Sequence, residues 1–339
     1  MVDEAQASDR APAVKRRRRR PRSGGVIAVT GIHGALARAL LRRVEDDERY
    51  TRLVLIDVRA PSKPVRRSVF HQVDLTEPLA DALLADVLRR EQVETVVHLA
   101  LREAPIPLAE SAHELETVGT MYLLNAVADC IGRRTPLRAL VTVSTAMVYG
   151  AHPRNPAYLE EAHPLRGAAH AGFVADKVDV ELQLEEFRRQ FQFPVCVLRP
   201  CWTTLGGSSI ASRLLRQPPF FTVLGFDPLM QLLHDDDLLD VVKRAVDEPC
   251  DGAFNVAGQG VLPVSALLRI VGRGSVALPA SVAYPATELL WRSYGVGIGI
   301  PLDFVRYVWA VAGEAASAAF GVSPRYSTRE VAQAVARAL

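Results

Sequence analysis

In Val26-Ile27-Ala28-Val29-Thr30-Gly31-Ile32-His33-Gly34-Ala35-Leu36-Ala37, the chain passes from an apolar, mostly β-branched run through two glycines into a helix-forming run. This order predicts a strand, a tight turn and the start of a helix. Glycine lets a backbone approach a phosphate closely, and the free N–H groups at a helix start favour negative charge. We therefore interpret Gly31, His33 and Gly34 as holding the pyrophosphate of a dinucleotide. An ordinary strand-to-helix loop is the alternative.

An acidic residue ends the next predicted strand. Asp57 lies one helix and one strand beyond Gly31, where dinucleotide-binding folds place an acid against the adenosine ribose hydroxyls. A carboxylate there repels a 2′-phosphate, which predicts NAD rather than NADP as the cofactor. Arg59 weakens that preference, because a guanidinium can accept the phosphate. A surface aspartate at a strand end is the alternative.

Strands and helices alternate over the first two thirds of the chain. Predicted strands cover 26–30, 52–57, 68–73, 94–100, 137–143 and 194–198, and predicted helices cover 35–44, 78–90, 111–130 and 171–190. Asp74 and Leu75 follow the third strand, where they can flank an adenine ring. Such alternation is typical of a Rossmann-like, doubly wound parallel α/β sheet, whose ligands bind at the carboxyl ends of its strands.

We predict three segments of different character in the chain. Residues 1–23 are expected to be a disordered basic tail. Residues 24–200, with 235–258 returning to them, are expected to form an NAD(P)-binding domain. A smaller substrate-facing domain is expected from 201–234 and 259–339, which carry the rest of the apolar sequence.

Composition narrows the class of protein. With 339 residues and 49% hydrophobic content, the chain can bury a large core. The four cysteines show neither paired metal-ligand spacing nor an extracellular disulfide pattern, which predicts reduced thiols, a cytoplasmic location and no metal site. Uninterrupted apolar stretches stay below the roughly 18 residues of a membrane span, so none is predicted.

The tail holds much of the basic charge. Residues 1–23 carry eight basic and three acidic side chains, although the net charge of the chain is only +2. We expect a solvated extension rather than specific nucleic-acid binding; non-specific phosphate contacts through the tail are the alternative. The arginines followed by residues 26–41 imitate a secretory signal, but its removal would delete the first strand, so no signal is expected.

The order of these motifs resembles the extended short-chain dehydrogenase/reductase family, of the NAD-dependent epimerase/dehydratase type. Its TGxxGxxG pattern is similar to residues 30–37, with Ala37 at the third glycine. Its later motifs are similar to Asp57, Asp74-Leu75, His98-Leu99-Ala100, Val118-Gly119-Thr120, His234-Asp235-Asp236-Asp237 and residues 252–258. The resemblance implies NAD binding, in which Leu99 and Ala100 line the cofactor, and a small-molecule substrate. The helices 111–130 and 171–190 often pair in this family, so the resemblance is compatible with a homodimer, and the sequence leaves the oligomeric state open.

The catalytic residues of the family are matched only in part. They are a Ser or Thr, a Tyr, and a Lys four residues after the Tyr; Thr145 matches the first, Lys177 the last, and Phe173 stands at the tyrosine position. A phenyl ring has no proton to transfer, so the usual acid–base step is absent. The resemblance implies that Lys177 bonds the nicotinamide ribose, which survives the loss of the tyrosine. A solvated lysine on an acidic helix face is the alternative.

Other groups near the expected cleft are candidates for the missing proton transfer, and His170 has the most suitable ordinary pKa. The set is Tyr149, His163, His170 and Cys201. His98 is interpreted as a structural histidine. Three acids after His234 are interpreted as a helix start rather than a metal site.

Two functions remain open from the sequence. The first is an NAD-binding oxidoreductase or epimerase-like enzyme that keeps Thr145 and Lys177 while proton transfer is relocated or unnecessary. The second is a non-catalytic NAD(P)-binding sensor or scaffold. A UDP-sugar substrate is not predicted, because Trp202 stands where sugar-nucleotide enzymes of the family commonly carry an asparagine.

Overall fold

The computed structural model describes residues 25–106, 113–167, 172–204, 209–216, 220–294 and 299–338. The predicted tail, 1–23, and the candidate His170 lie outside these residues. The strands that follow are β1 (Val26–Thr30), β2 (Arg52–Asp57), β3 (Ser68–Gln72), β4 (Thr95–His98), β5 (Ala139–Val143), β6 (Val195–Pro200), β7 (Trp202–Thr203), β8 (Phe220–Val223), β9 (Leu229–Met230), β10 (Leu232–Leu233), β11 (Gly252–Val256), β12 (Leu262–Pro263) and β13 (Ser275–Leu278).

Seven of these strands form one parallel sheet in the order β11-β6-β5-β4-β1-β2-β3. The five inner strands, β1, β2, β4, β5 and β6, are buried along most of their length, as expected when helices cover both faces of a sheet. The edge strands β3 and β11 are less buried. The predicted doubly wound parallel sheet is therefore confirmed. Its edge strand β11 comes from the segment 235–258 that is predicted to return to this part of the chain. The other strands form three two-stranded sheets outside it.

Helices cover both faces of the large sheet. They are α1 (Ala35–Val44), α2 (Ala80–Arg90), α3 (Gly119–Gly132), α4 (Gly172–Phe191), α5 (Ile210–Arg216), α6 (Asp235–Asp247), α7 (Val264–Ile270), α8 (Ala280–Tyr294), α9 (Glu314–Phe320) and α10 (Thr328–Arg337). A π-helical turn, Glu114–Val118, precedes α3. Within the described residues, no helix combines the length and the apolar character needed to cross a bilayer.

Two apolar clusters form the core. One lies between the sheet and the helices α2, α3 and α4. The other joins the opposite face, under α1 and α6, to residues such as Trp202, Phe304 and Val335 from the later part of the chain. The later segments thus share a continuous core with the sheet, and the division into a cofactor domain and a substrate-facing domain stays a prediction.

Gly31 is required by the close approach of two strand ends. Its φ is +72°, in the left-handed region, and a Cβ at this position would lie 2.4 Å from the backbone of Ala100. The position that a Gly31 side chain would occupy is filled by the backbone of Leu99 and Ala100, just beyond the end of β4. The glycine of this turn therefore has a structural reason that is separate from any ligand.

Gly31→Ala is expected to lower the free energy of unfolding by about 2–4 kcal/mol, because it combines left-handed strain with a backbone clash. Gly132→Ala is the matched control, since a Cβ there would meet nothing within 4 Å. That control should leave stability unchanged or raise it by less than about 1 kcal/mol. Urea unfolding of both variants measures the difference, and equal stabilities would contradict the close approach.

Candidate functional site

The predicted cofactor residues all lie at the carboxyl edge of the large sheet. The chain runs outward from β1 through β2 to β3, and from β4 the other way, so the order reverses between β1 and β4. Ligands of open α/β sheets bind at such a reversal. The turn 31–34 is at this point, Asp57 ends β2, Asp74 and Leu75 lie just beyond β3, and Leu99 with Ala100 follows β4.

The two acids at this edge, Asp57 and Asp74, accept hydrogen bonds within the turns that follow their strands. Asp57 accepts a hydrogen bond from the backbone N–H of Val58 at 2.7 Å, and Asp74 accepts from the N–H and hydroxyl of Thr76 at 2.9 and 2.7 Å. His33 Nε2 lies 3.1 Å from the carbonyl oxygen of Arg59, which ties the glycine turn to the loop after β2. Asp57, Asp74 and His33 are thus each held by hydrogen bonds to loops at this edge.

His98 is fully buried at the end of β4. Its Nδ1 lies 2.8 Å from the hydroxyl of Thr30, and Thr120 approaches Nε2 at 3.4 Å. Burial, with a smaller effect of the Lys177 charge, lowers the pKa of His98 to about 3, so the ring is neutral. This is the structural role that the sequence predicts for it.

Lys177 lies inside the protein, so the alternative of a solvated lysine is wrong. Its side chain is 2% exposed and donates a hydrogen bond at 3.0 Å to Oε1 of Glu116, which is fully buried on the π-helical turn. Burial lowers the pKa of Lys177, while the Glu116 carboxylate opposes that change. Lys177 and Glu116 therefore form a buried ion pair between α4 and the segment before α3.

Arg102 extends this ion pair. Its backbone N–H and its Nε donate to Glu116 Oε1 at 2.7 and 3.1 Å, and its guanidinium also donates to Asp176 on α4. His113 Nδ1 lies 2.7 Å from the other Asp176 oxygen. The predicted acidic face of α4 is thus partly internal. The second oxygen of Glu116, Oε2, is buried without a partner among the described residues.

Phe173 packs against the same cations. The ring centroid lies 5.4 Å from Lys177 Nζ and 5.5 Å from the guanidinium carbon of Arg102. Cations near an aromatic face are attracted by its quadrupole. The phenyl ring therefore stabilises the charged cluster, and it presents no hydroxyl to the adjoining cavity.

Thr145 and Ser144 follow β5 directly. Thr145 begins the short 3-10 turn Ala146–Tyr149, and its hydroxyl accepts from the N–H of Met147 at 3.2 Å. The Ser144 hydroxyl is buried and has no partner in the described part of the chain. Sequence reasoning missed Ser144 as a site residue, although its position directly before Thr145 was a signal for it.

One cavity brings the predicted catalytic positions together. Thr145, Phe173 and Lys177 line it, together with Arg102 and Glu103, which sequence reasoning also missed. Their signal was two consecutive charged residues directly after the segment 98–101, at the end of a predicted strand. Most of the remaining lining is apolar: Leu36, Leu99, Val143, Cys201, Trp202 and Ile210.

Trp202 closes part of this cavity. It is buried, its indole N–H points to Met147 Sδ at 3.3 Å, and its ring meets Trp309 edge to face at 5.1 Å. The indole N–H is therefore already engaged inside the protein. The wall that Trp202 gives the cavity is aromatic rather than hydrogen-bonding.

The alternative proton-transfer groups are less suitably placed. Tyr149 is buried away from the cavity lining, donates to Asn255 at 2.8 Å and accepts from Arg199 at 2.7 Å. Burial raises the pKa of Tyr149 to about 12. Cys201 does line the cavity, but burial raises the pKa of its thiol to about 12. His163 is half-buried, and its Nδ1 accepts a hydrogen bond from the backbone N–H of Glu160 in its own turn.

The acids after His234 open α6, as predicted. The backbone N–H of Asp236 donates to His234 Nδ1 at 3.1 Å, so the histidine caps the helix. Asp237 is buried and accepts hydrogen bonds from the backbone of Arg325 and Tyr326 at 3.0 and 3.1 Å. These contacts account for the acidic cluster by helix capping and packing.

Comparison with known proteins supports the resemblance. The model of the NAD dependent epimerase/dehydratase family matches residues 27–257. The chain belongs to this family. Uncharacterized proteins of Mycobacterium tuberculosis and Mycobacterium bovis are each 31% identical to it over 264 residues, which cover 76% of this chain and 69% of the relative. These relatives carry no activity in their names.

Solved structures share the fold of this epimerase/dehydratase family member. The dTDP-glucose 4,6-dehydratase of Bacillus anthracis, in complex with NAD, is 14% identical, has a TM-score of 0.67, and the match covers 93% of this chain and 96% of that one. The UDP-glucose 4-epimerase of Thermotoga maritima, with UDP-glucose, is 16% identical with a TM-score of 0.67, covering 92% and 97%. A Tyr-to-Phe mutant of the UDP-glucuronic acid 4-epimerase of Bacillus cereus, in complex with a substrate analogue and NAD, is 17% identical with a TM-score of 0.66, covering 92% and 98%.

Proposed function

We propose that this chain binds NAD along the carboxyl edge of the sheet and acts as an oxidoreductase or epimerase-like protein on a small molecule in the adjoining cavity. The observation that carries this proposal is the meeting of the glycine turn, Asp57 and the Thr145–Lys177 cavity at one edge, where the strand order reverses. NAD in several solved structures of this fold supports it.

The donor chemistry of the edge fits such a cofactor. In this proposal the backbone of the turn 31–34 and the start of α1 hold the pyrophosphate, and Asp57 holds the adenosine ribose. Leu75 and Asp74 flank the adenine, Leu99 and Ala100 line the cofactor further along, and Lys177 bonds the nicotinamide ribose. When bound, NAD supplies hydride-transfer chemistry.

The cavity residues would act on the substrate in limited ways. Thr145 is expected to orient a substrate oxygen. The hydroxyl of Ser144, which has no partner among the described residues, can donate a second hydrogen bond. Phe173 and the mostly apolar wall exclude water. Lys177, paired with Glu116, is expected to hold positive charge near the cofactor rather than to transfer a proton itself.

Cofactor titration tests the proposal. We expect the wild type to bind NADH in the micromolar range and more tightly than NADPH. Asp57→Ala should weaken the affinity for NADH about tenfold and reduce the preference for NADH over NADPH. Glu248→Ala is the control, because this exposed residue precedes β11 and so lies at the opposite edge. Protein fluorescence during titration measures the six affinities of the three proteins for the two nucleotides. Absence of micromolar binding by either nucleotide would contradict the proposal.

A second candidate is a non-catalytic NAD-binding sensor or scaffold. The specific observation in its favour is that Phe173 lacks a transferable proton while Lys177 is engaged by Glu116. Both candidates predict cofactor binding, and only the first predicts turnover.

Pairing of two copies is a further part of the proposal. Met121 on α3 and Leu182 on α4 are large apolar side chains that are 43% and 56% exposed. Their exposure supports a homodimer through these helices. The cytoplasmic location stays a prediction.

A further inference from the structure

Glu103 places a carboxylate at the start of α1. Its Oε1 accepts a hydrogen bond from the backbone N–H of Leu36, at 2.9 Å, across 67 residues of sequence. A Cβ on Gly34 would lie 3.2 Å from the same oxygen. The second glycine of the turn, which the sequence associates with a phosphate, thus leaves room for a negatively charged side chain of the chain itself.

The start of α1 has no other negative group of its own. Its N-cap is Gly34, which gives no side-chain hydrogen bond, and its first turn contains no acidic residue. The unpaired N–H groups and the dipole at a helix start favour an anion. Glu103 supplies that anion from the loop beyond β4, at the same N–H groups that would hold a pyrophosphate.

The backbone that carries Glu103 is anchored on both sides. Arg102 is fixed by Glu116, and the carbonyl oxygen of Pro105 accepts from Arg213 of α5 at 2.8 Å. Glu103 itself is an exposed residue. Its side chain can therefore rotate into solvent without movement of the loop, and its charge stays near the turn in either rotamer.

We propose that Glu103 is an intramolecular competitor for the pyrophosphate of a dinucleotide. The inference rests on the proposed NAD site. A bound pyrophosphate and the Glu103 carboxylate cannot share the Leu36 N–H, and their charges repel each other. Cofactor binding requires the side chain to leave the helix start, so the protein holds NAD more weakly than the same site with a neutral residue at this position.

Glu103→Gln tests this competition on the full chain. Glutamine keeps the size of the side chain and its acceptor oxygen but removes the charge. We expect the Kd for NADH to fall about tenfold relative to the wild type, which corresponds to about 1.4 kcal/mol. Because exposed charges are screened by salt, the difference should narrow as ionic strength rises. Glu248→Gln, at the opposite edge, serves as the matched control.

Each outcome of this titration decides the proposal. The proposal is supported if Glu103→Gln binds NADH more tightly than the wild type does, while Glu248→Gln binds it as the wild type does. The support is strongest if Glu103→Gln binds NADH measurably and the wild type does not. Equal binding by wild type and Glu103→Gln would overturn the competition and leave the NAD site standing. If the wild type and Glu103→Gln are both folded and neither binds NADH, the competition and the proposed function are overturned together. In that case, removal of the Glu103 charge would not have allowed NADH to bind.

Discussion

Phe173→Tyr is expected to raise NAD-dependent turnover by about 10²- to 10⁴-fold, the usual contribution of a positioned general acid or base. The ring lies on the cavity wall, 5.4 Å from Lys177 Nζ and 5.5 Å from the guanidinium carbon of Arg102. Both cations favour the phenolate, so they ease proton exchange by the added hydroxyl. Formation of NADH with a panel of hydroxy compounds measures the rate.

Phe187→Tyr is the matched control for this gain. Phe187 lies on the same helix, α4, and is similarly buried, but it belongs to the core cluster on the other side and not to the cavity. Its substitution should leave turnover unchanged. A wild type that already turns over, with a neutral Phe173→Tyr, would show that another group transfers the proton and that the site is not degenerate.

Glu116→Ala is expected to lower the free energy of unfolding by about 3–5 kcal/mol. The carboxylate is the hydrogen-bond partner of the buried Lys177 ammonium, and its removal leaves that charge unpaired inside the protein. Arg102 keeps its hydrogen bond to Asp176 in this variant, so Lys177 is the cation that is left without a carboxylate partner at hydrogen-bond distance. Urea unfolding of the wild type and the variant measures the change.

Two further variants separate the contribution of the Glu116–Lys177 pair from other effects on the free energy of unfolding. In a Lys177→Met background, the cost of Glu116→Ala should fall by at least about 2 kcal/mol, because no ammonium is left unpaired. Asp86→Ala breaks an exposed pair with Arg90 on α2 and should cost less than about 1 kcal/mol. A loss below about 1 kcal/mol for Glu116→Ala would contradict the buried pair.

The fold and the edge of the site could be predicted because their signals are local. The glycine turn, Asp57 and Asp74 each follow a recognisable strand, and parallel strands bring their carboxyl ends to one edge. Their grouping therefore follows from the alternation of strands and helices alone. The family could be identified from the same motifs in order.

The charged interior of the site could not be predicted in the same way. Lys177 and Glu116 are 61 residues apart, and their contact depends on how α4 packs against the segment before α3. A helix face containing several acids indicated solvent exposure, whereas packing buries Asp176 and Glu181 and leaves only Asp179 exposed among the three acids near Lys177. Glu103 has no sequence pattern that indicates its contact with Leu36, since that contact depends on the path of a loop.

Because Glu114–Val118 is a π-helical turn, the ion pair between Glu116 and Lys177 depends on the number of residues in this turn. A π turn holds one residue more than an α-helical turn, and here the N–H of Gly119 reaches back to the carbonyl of Glu114. Deletion of Thr117 would let the segment close as ordinary α-helix and turn Glu116 by about 100° about the axis. The register of this helix therefore decides whether the Glu116 carboxylate faces Lys177.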